Sequence, residues 1–184
     1  MKNNQIQVHK KHAEPWTVTL VDTGENSMTG GRLRRIEQFL GDESFCFTYG
    51  DGLTDLDIKE VIKYHKQHGK EATLTAVRQP GRFGQLKLNA KDLFEGSVTG
   101  FNEKPLDEGS WINGGFFVLN KEIFQRIKND QTVWESEPLQ SLAIDGQLKA
   151  YCHNGFWQPM DTLKDKNLLE DLWIKGKAPW RNWE

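Results

Sequence analysis

The sequence predicts an α/β domain, a sheet covered by helices, and three observations lead there. Strand-like and helix-like periods alternate along most of the 184 residues, which is the order of an α/β sheet rather than of segregated layers. No low-complexity linker and no internal repeat interrupts them, and the length suits a single domain. Hydrophobic residues make up 36% of the chain and 17 glycines add to the apolar share, enough for a sizeable core although low for a globular protein.

Residues 17–21 alternate as a half-buried strand, with Val18, Leu20 and Val21 supplying the apolar positions. After the turn Thr29-Gly30-Gly31, the residues Leu33, Ile36 and Leu40 mark one face of a helix. Residues 45–49 form a short apolar strand ending at Gly50. Residues 55–68 read as a helix with Leu56, Val61, Ile62 and His65 on one side, Thr54 as its cap and Gly69 as its stop. Strands follow at 72–77, 85–88, 97–102 and 113–119. Short helices are predicted at 121–127, capped by Asn120, and at 137–144, where Pro138 suits a first turn. Residues 148–152 read as one more strand. Residues 162–174 read as a final amphipathic helix carrying Leu163, Leu168, Leu169 and Leu172 and ended by Gly176.

Charge and composition exclude several classes of function. Lys and Arg number 24 against 26 Asp and Glu, a net charge of -2, so no global field would hold nucleic acid or an anionic membrane, and neither is expected as a partner. The first residues hold no apolar run and no stretch is apolar enough to span a bilayer, so a cytoplasmic location is expected. Cys46 and Cys152 each sit in an apolar stretch without ligand-like neighbours, which predicts buried free thiols. Trp173, Trp180 and Trp183 crowd the end of the chain, so the tail is expected to pack on the body or on a neighbouring subunit, and a homo-oligomer is expected.

Candidate chemistry gathers where strands end, as it does in open α/β sheets. Gly50-Asp51-Gly52 follows a strand directly and places a carboxylate between two residues that let a ligand approach the backbone, although the same residues also make a plain turn. Asp55-Leu56-Asp57 imitates an acidic metal motif, yet two acids at a helix start are expected from the helix dipole alone. Pro105 forces Lys104 into an extended backbone at a strand end, where it could grip a phosphate as a point charge. Asn113-Gly114-Gly115 opens a very apolar strand with a polar amide, which suits a small polyhydroxylated ligand or a simple loop.

Asp161 precedes the last helix and reads either as its N-cap or, if it faces Asp51, as the second hard oxygen ligand of a Mg2+ ion. Ser27-Met28-Thr29-Gly30-Gly31-Arg32 presents hydroxyls, backbone amides and a cation before a helix, which suits an anion or a base edge. No Gly-x-Ser-x-Gly elbow, His-Glu-x-x-His, Walker loop or Cys-x-x-Cys occurs, so serine hydrolase, zinc protease and redox readings lack support.

Taken in order, these motifs resemble the sugar-1-phosphate nucleotidyltransferases, and most closely their cytidylyltransferase branch. The resemblance rests on residues 15–24, Met28-Thr29-Gly30-Gly31-Arg32, Tyr49-Gly50-Asp51-Gly52, Pro80-Gly81-Arg82-Phe83-Gly84, Phe101-Asn102-Glu103-Lys104-Pro105, Asn113-Gly114-Gly115-Phe116-Phe117 and residues 156–162. It implies a Rossmann-like mixed sheet and a reaction between CTP and glucose 1-phosphate. It also implies roles: Asp51 and Asp161 on Mg2+; Ser27, Arg32 and Gly50 on the nucleotide; Lys104 on the sugar phosphate; Glu103, Asn113 and Gly114 on the hexose. Lys104, Asp51 and Arg32 would carry the catalytic charge compensation.

One departure stands beside these matches. The family carries an amino-terminal strand with a Leu-Ala-Gly-Gly-x-Gly-Thr-Arg loop and a Lys-Pro pair, and neither is found in these 184 residues. The chain is therefore read as a single nucleotidyltransferase domain, 1–184, truncated at its amino end and expected to be inactive alone. Two other readings stay open: a non-catalytic sugar-phosphate-binding or oligomerisation remnant, and a metal-dependent glycosyltransferase using Asp55 and Asp57.

Overall fold

A computed structural model of the chain describes residues 16–78, 85–90, 96–102 and 111–182. The sequence 111–119 is the most apolar run, and it forms the strand on which the rest is built. In chain order the elements begin with α1 (Thr29–Arg35), a 3-10 turn (Glu37–Phe39), β1 (Phe45–Thr48), β2 (Gly52–Thr54), α2 (Ile58–His68) and β3 (Ala72–Arg78). They continue with β4 (Gln85–Ala90), β5 (Gly96–Asn102), β6 (Trp111–Leu119), a second 3-10 helix (Lys121–Arg126), α3 (Glu137–Ile144), β7 (Leu148–His153), β8 (Trp157–Pro159) and α4 (Leu163–Ile174).

The main sheet has the order β1-β6-β3-β7 and is mixed: β1 and β3 run antiparallel to β6, and β7 runs parallel to β3. The strand β6 feeds two cores because successive side chains alternate across a pleated sheet. Phe117 and Leu119 enter a cluster with Leu33, Ile123, Ile127, Trp134 and Leu142, while Val118 turns the other way onto Leu56 and Val61. Fully burying one such side chain is worth about 1.5 to 3 kcal/mol. β2 and β8 pair separately as a two-stranded ribbon, and β4 and β5 form another.

The same pleat corrects one expectation. Phe45 and Phe47 pack against the core, so Cys46 between them faces outward on an edge strand, and Cys152 does the same on β7. Both thiols are free, as expected, but exposed rather than buried.

Four element predictions change in detail. Residues 16–24 form no regular structure, and Trp16, Val18 and Leu20 are 76%, 71% and 77% exposed; no described strand pairs with them, so their alternation has no face to bury. α2 starts at Ile58 because Asp57, not Thr54, caps it, its carboxylate accepting from the backbone N–H of Lys59 and Glu60. Thr54 and Asp55 are held instead at the carbonyl of Phe156, by the Thr54 hydroxyl at 2.8 Å and the Asp55 amide at 3.2 Å. Residues 121–126 are 3-10 rather than α, and Asn120 makes no cap; its side-chain oxygen accepts from Ser44 and faces His65.

The remaining ends follow the sequence. Gly69 closes α2 with a left-handed φ of 63°, and Pro138 sits in the first turn of α3. Thr162 caps α4 in a reciprocal box with Asp165, so Asp161, weighed as that cap, lies one residue outside it. In the tail Trp180 packs on Phe156 with ring centres 5.4 Å apart, and Arg181 lies over the half-exposed Trp173. Trp183 lies outside the described residues. Among the described residues no helix is long and apolar enough to cross a membrane.

Candidate functional site

The chain leaves β1 through Tyr49-Gly50-Asp51 and turns at once into β2, which pairs with β8 in the register Gly52 to Pro159. The Met160 amide extends that ladder by donating to the Asp51 carbonyl at 2.8 Å. The turn after β1 and the approach to α4 therefore run side by side. Their carboxylates, Asp51 and Asp161, line one cleft of about 180 Å³ together with Tyr49, Thr54, Asn113 and Trp157.

Glycine is required in the floor of this cleft. Gly115 adopts φ 80°, and a Cβ there would stand 2.7 Å from the Tyr49 ring, so only glycine lets the ring lie across the strand. The Tyr49 amide donates to the Gly115 carbonyl at 3.1 Å. Asn113 folds back on the same segment: its Oδ1 accepts from the Gly115 amide at 2.9 Å and its Nδ2 donates to the Tyr49 hydroxyl at 3.4 Å. The Gly114 carbonyl is taken by the Trp157 indole N–H at 2.9 Å, so Gly114 lines the cleft with that group already paired.

The Tyr49 hydroxyl donates in turn to Glu135 Oε1, and the other oxygen of that carboxylate accepts from the Thr29 hydroxyl at 2.7 Å. The backbone N–H of Trp134 then donates to the Thr29 oxygen at 2.9 Å. Burial first, and then the hydrogen bond and negative charge of Glu135, push the Tyr49 phenol far above its ordinary pKa. It is a neutral donor at any physiological pH.

Ser27 and Arg32 are not among the residues lining the cleft. Ser27 is buried, and the Arg32 guanidinium donates to the Thr23 hydroxyl at 2.8 Å and the Glu25 carbonyl at 3.2 Å. The amides expected to cradle an anion are also engaged. Met28 donates to the Asp130 carbonyl, and Gly30 and Gly31 donate to that of Thr132. Gly30 and Gly31 serve close packing instead, since a Cβ on either would come within 2.7 Å or less of those carbonyl oxygens. Gly50 faces open space. Glu103, Lys104 and the segment Gly81-Arg82-Phe83-Gly84 lie outside the described residues.

The acids of the competing glycosyltransferase reading have structural partners. Asp55 Oδ1 lies 2.9 Å from His153 Nε2, and Asp57 is the α2 cap. Among the described residues no group of three metal-binding side chains occurs. Asp51 and Asp161 are the two carboxylates of this cleft, hard oxygen donors of the kind that could hold a Mg2+ ion.

Tyr49, Trp157 and Glu135 shape the site without a sequence signal of their own. Tyr49 and Trp157 lie inside motifs, where an aromatic side chain reads as core packing rather than as a site residue. Glu135 carried no signal, since it meets Tyr49 across 86 residues of sequence.

A mixed α/β sheet with a paired-carboxylate cleft at a strand end defines a class, and comparison with known proteins gives that class its name. The nucleotidyl transferase family matches residues 2–164, and the chain belongs to that family. Within it, the chain is 59% identical over 185 aligned residues to glucose-1-phosphate cytidylyltransferase of Salmonella typhimurium, and the same holds for that of Salmonella typhi; the match covers all of this chain and 70% of each relative. Identity falls to 31% with mannose-1-phosphate guanyltransferase of Aspergillus oryzae, over 87% of this chain and 45% of the relative. Among solved structures, UDP-glucose pyrophosphorylase complexed with UDP-glucose shares the fold with a TM-score of 0.59 at 15% identity, covering 85% of this chain and 65% of that one. HddC from Yersinia pseudotuberculosis does so with a TM-score of 0.57 at 22% identity, over 78% and 61%.

Proposed function

We infer that the chain carries the sugar-phosphate and metal side of a glucose-1-phosphate cytidylyltransferase site, which makes CDP-glucose and pyrophosphate from CTP and glucose 1-phosphate. The observation that carries this reading is the 59% identity over the whole chain to the Salmonella enzymes, against 31% to a guanyltransferase. A phosphate oxygen of glucose 1-phosphate attacks the α-phosphorus of CTP in line, and the bond to the bridging oxygen of pyrophosphate breaks. Such a transfer calls for positioning and charge neutralisation and for no nucleophilic side chain. The described walls of the cleft support that reading through Asp51 and Asp161, two carboxylates that could hold a neutralising cation.

Asp51 and Asp161 would hold Mg2+, which supplies neutralisation of phosphate charge when bound. Asn113, which lines the cleft and is held by Gly115 and Tyr49, is assigned with Gly114 to the hexose. Lys104 is assigned to the sugar phosphate, with Glu103 beside it on the hexose; Ser27, Arg32 and Gly50 are assigned to the nucleotide. Replacing Lys104 by Ala should lower kcat/KM for glucose 1-phosphate by about a hundredfold, the typical effect of losing a charge-assisted phosphate contact in a dry site.

A chimera tests the reading directly. With this chain in place of the matching 185 residues of the Salmonella typhimurium relative, CTP and glucose 1-phosphate should together release pyrophosphate in the presence of Mg2+. Release with UTP or GTP but not with CTP would contradict the cytidylyl assignment.

A further inference from the structure

Glu135 belongs to no motif, and yet it touches two of them. Its carboxylate accepts from the Tyr49 hydroxyl with one oxygen and from the Thr29 hydroxyl with the other, at 2.7 Å. Tyr49 leads into the cleft and receives the Asn113 amide on its hydroxyl oxygen. Thr29 is the first residue of α1, in the segment that also carries Ser27 and Arg32. An ionised carboxylate is an acceptor only, so both hydroxyls must point their protons at it, and the direction of each bond is fixed. The Tyr49 oxygen is thereby left to accept from Asn113, and the Thr29 oxygen to accept from the Trp134 amide. The buried Trp134 next to it, 0% exposed, anchors the segment from which Glu135 projects.

We propose that Glu135 is a positioning residue that aligns the cleft with the α1 segment assigned to the nucleotide, by holding Tyr49 and Thr29 at once. The proposal rests on the cytidylyltransferase reading for the identity of the ligands and on the hydrogen-bond geometry for the alignment. Glu135 sets the orientation of the Asn113 amide through Tyr49 and the placement of α1 through Thr29. A ligand that spans both sides depends on their mutual register, whereas a ligand that occupies one side does not.

The test compares Glu135→Ala and Glu135→Gln with the unchanged full chain. Calorimetric titration in Mg2+ with CDP-glucose, CMP and glucose 1-phosphate separates the spanning ligand from its two parts. Glu135→Ala should weaken CDP-glucose by about tenfold, the loss expected of one charge-assisted hydrogen bond, while each part changes by less than about twofold. Glu135→Gln retains one acceptor and should fall between the two. Equal weakening of all three ligands, or none, would overturn the proposal. If the unchanged chain bound none of them, the activity reading would fall, and the Asn113 side-chain amide signal in the NMR spectrum would decide the alignment on its own. A shift of that signal in Glu135→Ala, largely restored in Glu135→Gln, supports it; an unmoved signal contradicts it.

Discussion

Met160 donates its backbone N–H to the carbonyl of Asp51 at 2.8 Å, and this one bond brings Asp161 to the cleft that Asp51 lines. The two acids are 110 residues apart in sequence, and the β2–β8 ribbon closes that separation. Each carboxylate is expected to contribute to one ion. Asp51→Asn and Asp161→Asn should each weaken Mn2+ binding, read by electron paramagnetic resonance, by about tenfold or more, since a hard cation loses an anionic oxygen ligand. Unchanged affinity in either variant would remove that residue from the metal site.

A second prediction concerns acid. The Lys70 amide donates to His68 Nδ1 at 2.9 Å, so His68 Nε2 carries the proton and donates to the Thr73 oxygen at 2.7 Å. The Thr73 hydroxyl is then free to donate to His65 Nδ1 at 2.8 Å, and His65 Nε2–H donates to Asn120 Oδ1 at 2.9 Å. The network is complete only with a neutral His68 ring. Burial, followed by repulsion from His65, Lys149 and Lys70, depresses the His68 pKa below its ordinary 6.5. A depressed histidine contributes stability that is present above about pH 6.5 and is lost as pH falls through the folded-state value. The melting temperature should drop between pH 7.5 and 5, and His68→Gln should flatten that slope; an equal slope in the variant would place the acid sensitivity elsewhere.

A third prediction separates volume from polarity in the core. Trp134 is fully buried and its indole N–H has no hydrogen-bond partner among the described residues. Leaving a buried donor unpaired costs about 1 to 3 kcal/mol, so Trp134→Phe loses ring volume but also removes that penalty. Chemical denaturation should place it within about 1.5 kcal/mol of the unchanged chain, whereas Trp134→Ala should cost about 3 to 5 kcal/mol. Similar losses in both would indicate that the indole nitrogen is paired in solution.

Local chemistry was the part of the fold that the sequence made legible. Gly69, Pro138 and Gly176 act through their own backbone preferences, and the helix ends they mark fall where expected. Residues 17–21 show the limit: their alternation is a strand pattern, but a strand exists only when another strand pairs with it. The caps at Thr54 and Asn120 failed for a related reason, because distant groups, the Phe156 carbonyl and the side chains of Ser44 and His65, claim those side chains. In the site, Asp51 and Asp161 were legible as acids at a strand end and a helix start, but their meeting in one cleft depends on the β2–β8 ribbon, a long-range pairing that local pattern does not show. The hydrogen bonds that occupy the Gly30 and Gly31 amides, and the bridge through Glu135, depend on the 130–135 segment, which has no periodic pattern, and Arg32 is taken up by Thr23 and Glu25.

Entry of a sugar nucleotide into the cleft between β1, β6 and β8 can be read by an amide NMR titration of the chain with CDP-glucose and Mg2+. The largest shifts should fall on Tyr49, Asp51, Gly52, Asn113, Gly115 and Trp157, and Asp51→Asn should suppress them. Shifts confined to other surfaces, such as the groove lined by Trp173 of α4 and by Trp180, or an unperturbed cleft at saturating ligand, would contradict it.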